Sequence, residues 1–177
     1  SKTAEVNVSI GQCYFYQSKF LDALNKFEWL LKQPTSEPLK DAITYWIAEV
    51  HFRGNNFSKA SSYYKALIEE FPRSSYLASA YYSLGWCLFQ ENQFKEALEY
   101  FQIIEQRFPK EPQVQDAFFK IIECLYNLKD YSGLKERLKS YLKLYAKDVA
   151  KVPYLYFYLA ESEYYLANYQ EAIDEYS

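Results

Sequence analysis

A register of small and aromatic residues that returns every 37 positions constrains this chain more than any other feature. Aromatic residues stand at Phe20, Phe57, Phe94, Tyr131 and Tyr169, at spacings of 37, 37, 37 and 38. Three residues after each come Ala23, Ala60, Ala97, Leu134 and Ala172, and four further on Phe27, Tyr64, Phe101, Leu138 and Tyr176. A second block precedes this one. Its aliphatic row is Ile10, Ile47, Leu84, Ile121 and Leu159, followed directly by Gly11, Ala48, Gly85, Ile122 and Ala160. Offsets of three and four place side chains on one face of a helix. Each period therefore encodes two amphipathic helices joined by a tight turn. Gly85 and Ala97 are small enough to let one such pair approach closely, and larger neighbours fill the space on either side.

Self-similarity at a fixed period of this length marks stacked helix pairs, none of which can bury its apolar face alone. The expected fold is an all-α, right-handed solenoid of about five helix-turn-helix repeats in one array over 1–177. The repeats fall near 4–40, 41–77, 78–114, 115–152 and 153–177, the last one truncated. Helices are expected over 4–17, 20–33, 38–53, 57–71, 75–90, 94–108, 113–128, 131–146, 153–166 and 169–177. All six prolines lie between one repeat's second helix and the next repeat's first, outside helix interiors. Ser36 and one of Ser74 and Ser75 are N-cap candidates.

Composition enters here as a test of that reading. Half the residues are apolar and a fifth aromatic, enough for an extended core, while 4 Gly and 6 Pro disfavour an all-β fold. The net charge is −3 with acids and bases interspersed. No basic block of the kind that binds nucleic acid is present, and no apolar run is long enough to cross a bilayer as a helix. The chain opens on Ser and holds no Met. An excised piece of a longer protein is expected, one that continues past 177.

The residues Leu84-Gly85, Phe94, Ala97, Phe101 and Pro109 resemble the tetratricopeptide repeat, whose usual period is about 34 residues. The linker Phe71-Pro72-Arg73-Ser74-Ser75-Tyr76, running on through Ala80 and Gly85, is similar to the aromatic-Pro-x-Ser linker of bacterial cell-envelope repeat proteins. The coordinator of the Tol-Pal system is such a protein. Phe108-Pro109-Lys110-Glu111-Pro112 repeats the linker with Glu111 in the Ser position. The resemblance implies a non-catalytic scaffold that binds proteins or peptides, in an envelope assembly, with the first helices lining a concave groove.

Catalytic chemistry has little to stand on. The chain has one histidine, His51, in a packing row with Tyr14, Leu88, Leu125 and Glu163. Phosphate-binding, zinc-protease and nucleophile-elbow motifs are missing. No cofactor, metal or nucleic acid is expected. Cys13, Cys87 and Cys124 share one repeat row and are expected to be buried and unlinked, since equivalent positions in stacked repeats lie beyond disulfide reach. Unpaired thiols suit a reducing compartment and the linker resemblance an envelope, so the compartment stays open.

Function should reside in the positions that vary between repeats. One stripe on each first helix, at spacings of four, three and four, changes each time: Glu5, Ser9, Gln12, Tyr16; Ala42, Trp46, Glu49, Arg53; Ser79, Ser83, Trp86, Gln90; Asp116, Lys120, Glu123, Asn127; Tyr154, Tyr158, Glu161, Tyr165. From it, Trp46, Glu49, Arg53, Trp86, Gln90, Lys120, Glu123, Asn127 and Glu161 are the expected partner contacts. Trp46 and Trp86 serve as apolar anchors in a polar surround, unless their rings tuck against neighbouring helices. The expected partner is a protein or peptide lying extended in the groove. A peptide sensor that changes pitch and a structural spacer that self-associates through its C-terminal end are the alternatives.

Overall fold

In the structure, a computed structural model, residues 2–145 and 152–176 are described. They fall into two compact units, Ser1–Val114 and Gln115–Ser177. The first holds α1 (Lys2–Tyr16), α2 (Phe20–Leu31), a 3-10 turn (Pro34–Leu39), α3 (Lys40–Arg53), α4 (Phe57–Glu70), α5 (Leu77–Gln90) and α6 (Phe94–Arg107). The second is built from α7 (Gln113–Asn127), whose first two residues, Gln113 and Val114, belong to the first unit, and from α8 (Tyr131–Tyr145), α9 (Val152–Tyr165) and α10 (Tyr169–Tyr176). The fold is all-α, with no strand among the described residues. Each expected helix is found within two residues of its expected ends, with positions 146 and 177 outside the described residues.

Close packing within a pair follows the small-residue rows. A Cβ built on Gly11 would stand 2.5 Å from Phe27 Cε1, and one on Gly85 would stand 2.9 Å from Phe101 Cε1. Both rings are fully buried, so the glycines are what admits them. In the second repeat Ala48 and Tyr64 share the same relation, again fully buried.

Packing between repeats uses the flanking row. Ile43, Ile47 and Val50 on α3, and Ala80, Leu84 and Cys87 on α5, are all buried; so are Ala117, Ile121 and Cys124 on α7 and Leu155, Leu159 and Ser162 on α9. On α1 the same row is Val6, Ile10 and Cys13, and here the expectation fails: all three are exposed, Val6 by 59%. In later repeats this row is buried, and no described residue covers it on α1. Cys13 is therefore an exposed free thiol, whereas Cys87 and Cys124 are buried and free. Burial pushes both inner thiols up to about 12.

The turns inside the repeats close with one device. Ser18, Asn55, Asn92, Lys129 and Ala167 all have φ between 55° and 62°. The next residue's N–H bonds back five positions, as from Asn56 to His51 (2.9 Å) and from Gln93 to Leu88 (2.9 Å). This is the Schellman closure of a helix C-terminus, made without a glycine in any of the five. Gly54, the glycine in the turn of the second repeat, has an ordinary φ of −82°.

The linker into α3 differs from expectation. Pro34 and Pro38 remove two N–H donors four residues apart, and the chain forms a 3-10 turn before α3 begins at Lys40. Ser36 caps nothing; its hydroxyl is buried without a partner. Ser74 acts as a strap in the following linker. Its Oγ donates to Asp41 Oδ2 (2.7 Å) and accepts the Tyr76 N–H (3.1 Å).

Candidate functional site

In the first unit the stripe residues on α3 and α5 face different surroundings. Trp46 is not an open anchor; its ring is 9% exposed. Phe15 and Tyr16 stand edge-on to it at 5.2 and 5.8 Å, and Phe27 stacks behind it at 6.4 Å. It belongs to the core cluster of Val8, Phe15, Phe27 and Val50. The expectation of an open anchor at Trp46 is corrected accordingly: the indole fills the space between α1 and α3, where apolar burial outweighs the cost of an Nε1–H left without a hydrogen-bond partner.

One period later the same row carries Ser83, and the space stays open. A cavity of about 610 Å³ lies between α3 and α5. Phe52, Phe57 and Trp86 supply aromatic walls, Glu49, Ser79 and Ser83 a polar floor, and Arg53 and Gln90 also line it. Four of the expected contacts, Glu49, Arg53, Trp86 and Gln90, are thus brought together. Trp86 is half-buried, edge-on to Phe52 at 6.4 Å, and its Nε1–H donates to the Tyr82 hydroxyl at 2.9 Å. That bond leaves the indole oriented without a buried unsatisfied donor.

Glu49 sits at the bottom of this space, half-buried. The Tyr64 hydroxyl donates to its Oε1 at 2.6 Å and the Ser83 hydroxyl makes a longer contact to the same atom at 3.4 Å. Burial and then the Glu49 charge push the Tyr45 and Tyr64 phenols well above their usual range. Both rings therefore remain neutral donors around the carboxylate. Arg53, one turn along α3, carries its guanidinium 6.0 Å over the Phe15 ring.

The second unit uses the stripe for internal bonding. Lys120 and Glu123 form an ion pair at 2.6 Å, and Asn127 Nδ2 donates to the Glu123 carbonyl at 2.7 Å. The Tyr154 hydroxyl reaches Glu123 Oε1 at 3.3 Å. Glu161 accepts from Tyr126 (2.9 Å) and Tyr176 (2.5 Å). The bond to Glu161 raises both phenols, Tyr176 to about 12. Lys120, Glu123, Asn127 and Glu161 form a tied polar surface between α7, α9 and α10.

Several lining residues lie outside the variable stripe: Tyr45, Phe52, Phe57, Tyr82 and Gln113. A repeat row marks four of them: Phe57 lies in the row that opens each second helix, and Phe52 recurs at Phe15, Phe89, Tyr126 and Tyr164. Tyr45 and Tyr82 belong to an aromatic row that continues at Phe119 and Phe157, again at 37, 37 and 38. Gln113 reaches the cavity from the start of α7, its Nε2 donating to Ser79 Oγ at 2.9 Å. Nothing in its own repeat row marks it.

Paired helices, glycines under aromatic rings and a side-chain-lined cavity between successive first helices define a helical repeat protein of the interaction-scaffold class. A tetratricopeptide repeat profile matches residues 9–75 and 55–112, and the chain belongs to the tetratricopeptide repeat family. Among solved structures, a crystal structure of MamA aligns over 99% of this chain and 88% of its own, with TM-score 0.78 and 16% identity. MamA from Desulfovibrio magneticus RS-1 aligns over 99% and 92%, with TM-score 0.75 and 13% identity. YrrB, described as a TPR protein with an unusual peptide-binding site, aligns over 96% and 80%, with TM-score 0.74 and 15% identity. At these identities the likeness is one of fold. A search of curated proteins gives no match. Among the described residues no helix is long and apolar enough to cross a membrane.

Proposed function

We propose that this chain is a non-catalytic scaffold that captures an extended segment of a partner protein in the cavity between α3 and α5. The observation that carries the reading is the cavity itself, where Ser83 replaces the bulk that Trp46 supplies one repeat earlier. Trp86 is its apolar anchor, a half-buried aromatic ring of the type that dominates binding energy. Glu49, Arg53 and Gln90 supply the polar contacts around it. Lys120, Glu123, Asn127 and Glu161 offer a second, polar contact surface on the other unit. The YrrB likeness supports peptide capture as a use of this fold. The linker Phe71-Pro72-Arg73-Ser74 is what supports a bacterial envelope assembly as the setting, within a single array of five repeats.

The test is selection of dodecapeptides from a random phage library on the intact chain, followed by titration of the selected peptides against Trp86→Ala. The expected result is a loss of about 30-fold or more in affinity, the equivalent of a hot-spot contribution near 2 kcal/mol, with the helical content and melting temperature retained. Unchanged affinity in a folded Trp86→Ala protein overturns the reading.

A further inference from the structure

The polar floor of the cavity is asymmetric in charge. Among the described residues that line it, Glu49 is the one carboxylate and Arg53 the one cation. They do not form an ion pair with each other. Arg53 has its guanidinium over Phe15, toward α1. The donors reaching Glu49 Oε1 are the neutral hydroxyls of Tyr64 and Ser83. This half-buried carboxylate is thus met by hydroxyls, with no ion pair to Arg53. Above it stand the rings of Phe52, Phe57 and Trp86.

We infer that the cavity takes the side chain of a lysine or arginine from an extended peptide. This rests on the proposed peptide capture and adds the chemistry of the residue captured. A lysine or arginine stem lies against aromatic walls as an apolar chain, while its terminal cation meets both the ring faces and the carboxylate. An aliphatic side chain of equal length gains the same walls but brings no cation to Glu49. An acidic side chain adds a second negative charge beside it. The cavity has room for a long side chain, and Ser79 and Ser83 keep the floor low. Partner selection is then by cation, with Glu49 as the specificity-determining group and Trp86 as the wall.

The test uses defined probes on the intact chain. Four acetylated, amidated pentapeptides, Ala-Ser-X-Ser-Ala with X as lysine, arginine, norleucine or glutamate, are titrated by nuclear magnetic resonance. The Trp86 indole N–H and the Ser83 amide are followed as reporters. Lysine and arginine peptides are expected to shift both signals, and to bind about fivefold or more tightly than the norleucine peptide, with glutamate weakest. Glu49→Gln keeps an oxygen for the Tyr64 hydroxyl and removes the charge. It is expected to bring lysine and norleucine to equal affinity. Equal binding of lysine and norleucine by the unsubstituted protein, or a lysine preference that survives Glu49→Gln, overturns the inference and leaves peptide capture standing. If none of the peptides moves the Trp86 and Ser83 signals, both are overturned. Should Glu49→Gln lower the melting temperature strongly, the comparison of the four peptides on the unsubstituted protein, at low and at high salt, decides the matter. A lysine preference that does not weaken with salt is then the contrary result.

Discussion

Trp46 and Ser83 occupy one row of the repeat, one period apart, and their surroundings are opposite. At the first position an indole closes the space between α1 and α3 and joins the core against Phe15, Tyr16 and Phe27. At the second a hydroxymethyl group leaves the cavity between α3 and α5. Two further solutions occur in the second unit, where the row holds Lys120, paired with Glu123, and Tyr158, whose ring stands edge-on to Tyr126 at 5.2 Å. The repeating rows decide where helices run. Within the first unit, the residue placed in this one row decides whether a crossing between first helices becomes core or cavity. A repeat protein can thus change its binding surface without disturbing its frame.

The comparison breaks most readily at its closed end. Trp46→Ser makes the first crossing resemble the second by deleting a ring that is nearly fully enclosed. Loss of a buried Trp typically costs about 3–5 kcal/mol, through lost burial and the cavity left behind. Urea unfolding of the two proteins should show a lower midpoint at an unchanged slope. A loss below about 1 kcal/mol would mean that the indole is a surface group after all, and the contrast with Ser83 would have no energetic content.

The contrast extends to carboxylates. Glu163 is almost fully buried, and its Oε2 meets Lys135 Nζ at 2.8 Å and Asn168 Nδ2 at 2.7 Å. Burial pushes its titration up, but the hydrogen bonds from Lys135 and Asn168 and the Lys135 charge outweigh this and hold it below 4.5. Glu49, by comparison, is half-buried and meets hydroxyls only. Glu163 is thus held by a cation, whereas the hydrogen bonds to Glu49 come from hydroxyls. Lys135→Met removes that cation and strands Glu163. Because Lys135 is 26% exposed, the expected loss is about 2–3 kcal/mol, below the range for a wholly buried pair. The pair also predicts a pH dependence. A depressed carboxylate stabilises the fold fully above its unfolded value near 4.5, and the contribution disappears as pH falls through the folded value. Melting temperatures of the two proteins should therefore differ at pH 7 and converge well below pH 4. A difference that persists at low pH would assign the loss to packing by the Lys135 stem.

Much of this was legible in the rows. The helix pairs, the glycines beneath Phe27 and Phe101 and the buried thiols of Cys87 and Cys124 follow from periodicity, because residues recurring in each repeat build the repeat. Three features were not. Trp46 and Trp86 lie on the same stripe but in different rows, and only the neighbours Phe15 and Phe27 decide that the first is enclosed. The exposure of Cys13, Val6 and Ile10 depends on what covers α1, which the row itself does not encode. The positive φ at each turn is carried by Ser18, Asn55, Asn92, Lys129 and Ala167, so the glycine that usually signals such a closure is missing. Ala167→Gly relieves that φ far from both crossings. It should raise stability by about 1 kcal/mol or less, as the relief is partly offset by the added freedom of glycine in the unfolded chain. A loss of stability on this substitution would show that φ 62° costs Ala167 nothing. Thiol titration reads the second feature directly: one thiol should react in the native protein and three after unfolding. Three reactive native thiols would show that Cys87 and Cys124 are not held in the core.

The smallest expected change in stability belongs to the substitution that closes the open crossing. Ser83→Trp places an indole in the row position that Trp46 fills one repeat earlier. Phe52 stands ready to meet it, as Phe15 meets Trp46. The bond surrendered is the 3.4 Å contact to Glu49, which is long for a hydroxyl donor and contributes little. Glu49 keeps the Tyr64 hydroxyl at 2.6 Å. Added aromatic burial favours the variant, and displacement of the half-buried Trp86 opposes it, so unfolding free energy should shift by less than about 1 kcal/mol in either direction. Binding should respond quite differently, because the space itself is gone: peptides selected on the unsubstituted protein, and the lysine pentapeptide, should no longer shift the Trp86 indole. A loss of several kcal/mol would show that the row cannot carry a large side chain at this crossing, and that Trp46 is a local solution of α1 and α3 alone. Retained peptide affinity in a folded Ser83→Trp protein would place the binding surface away from this cavity, and Trp86 with it.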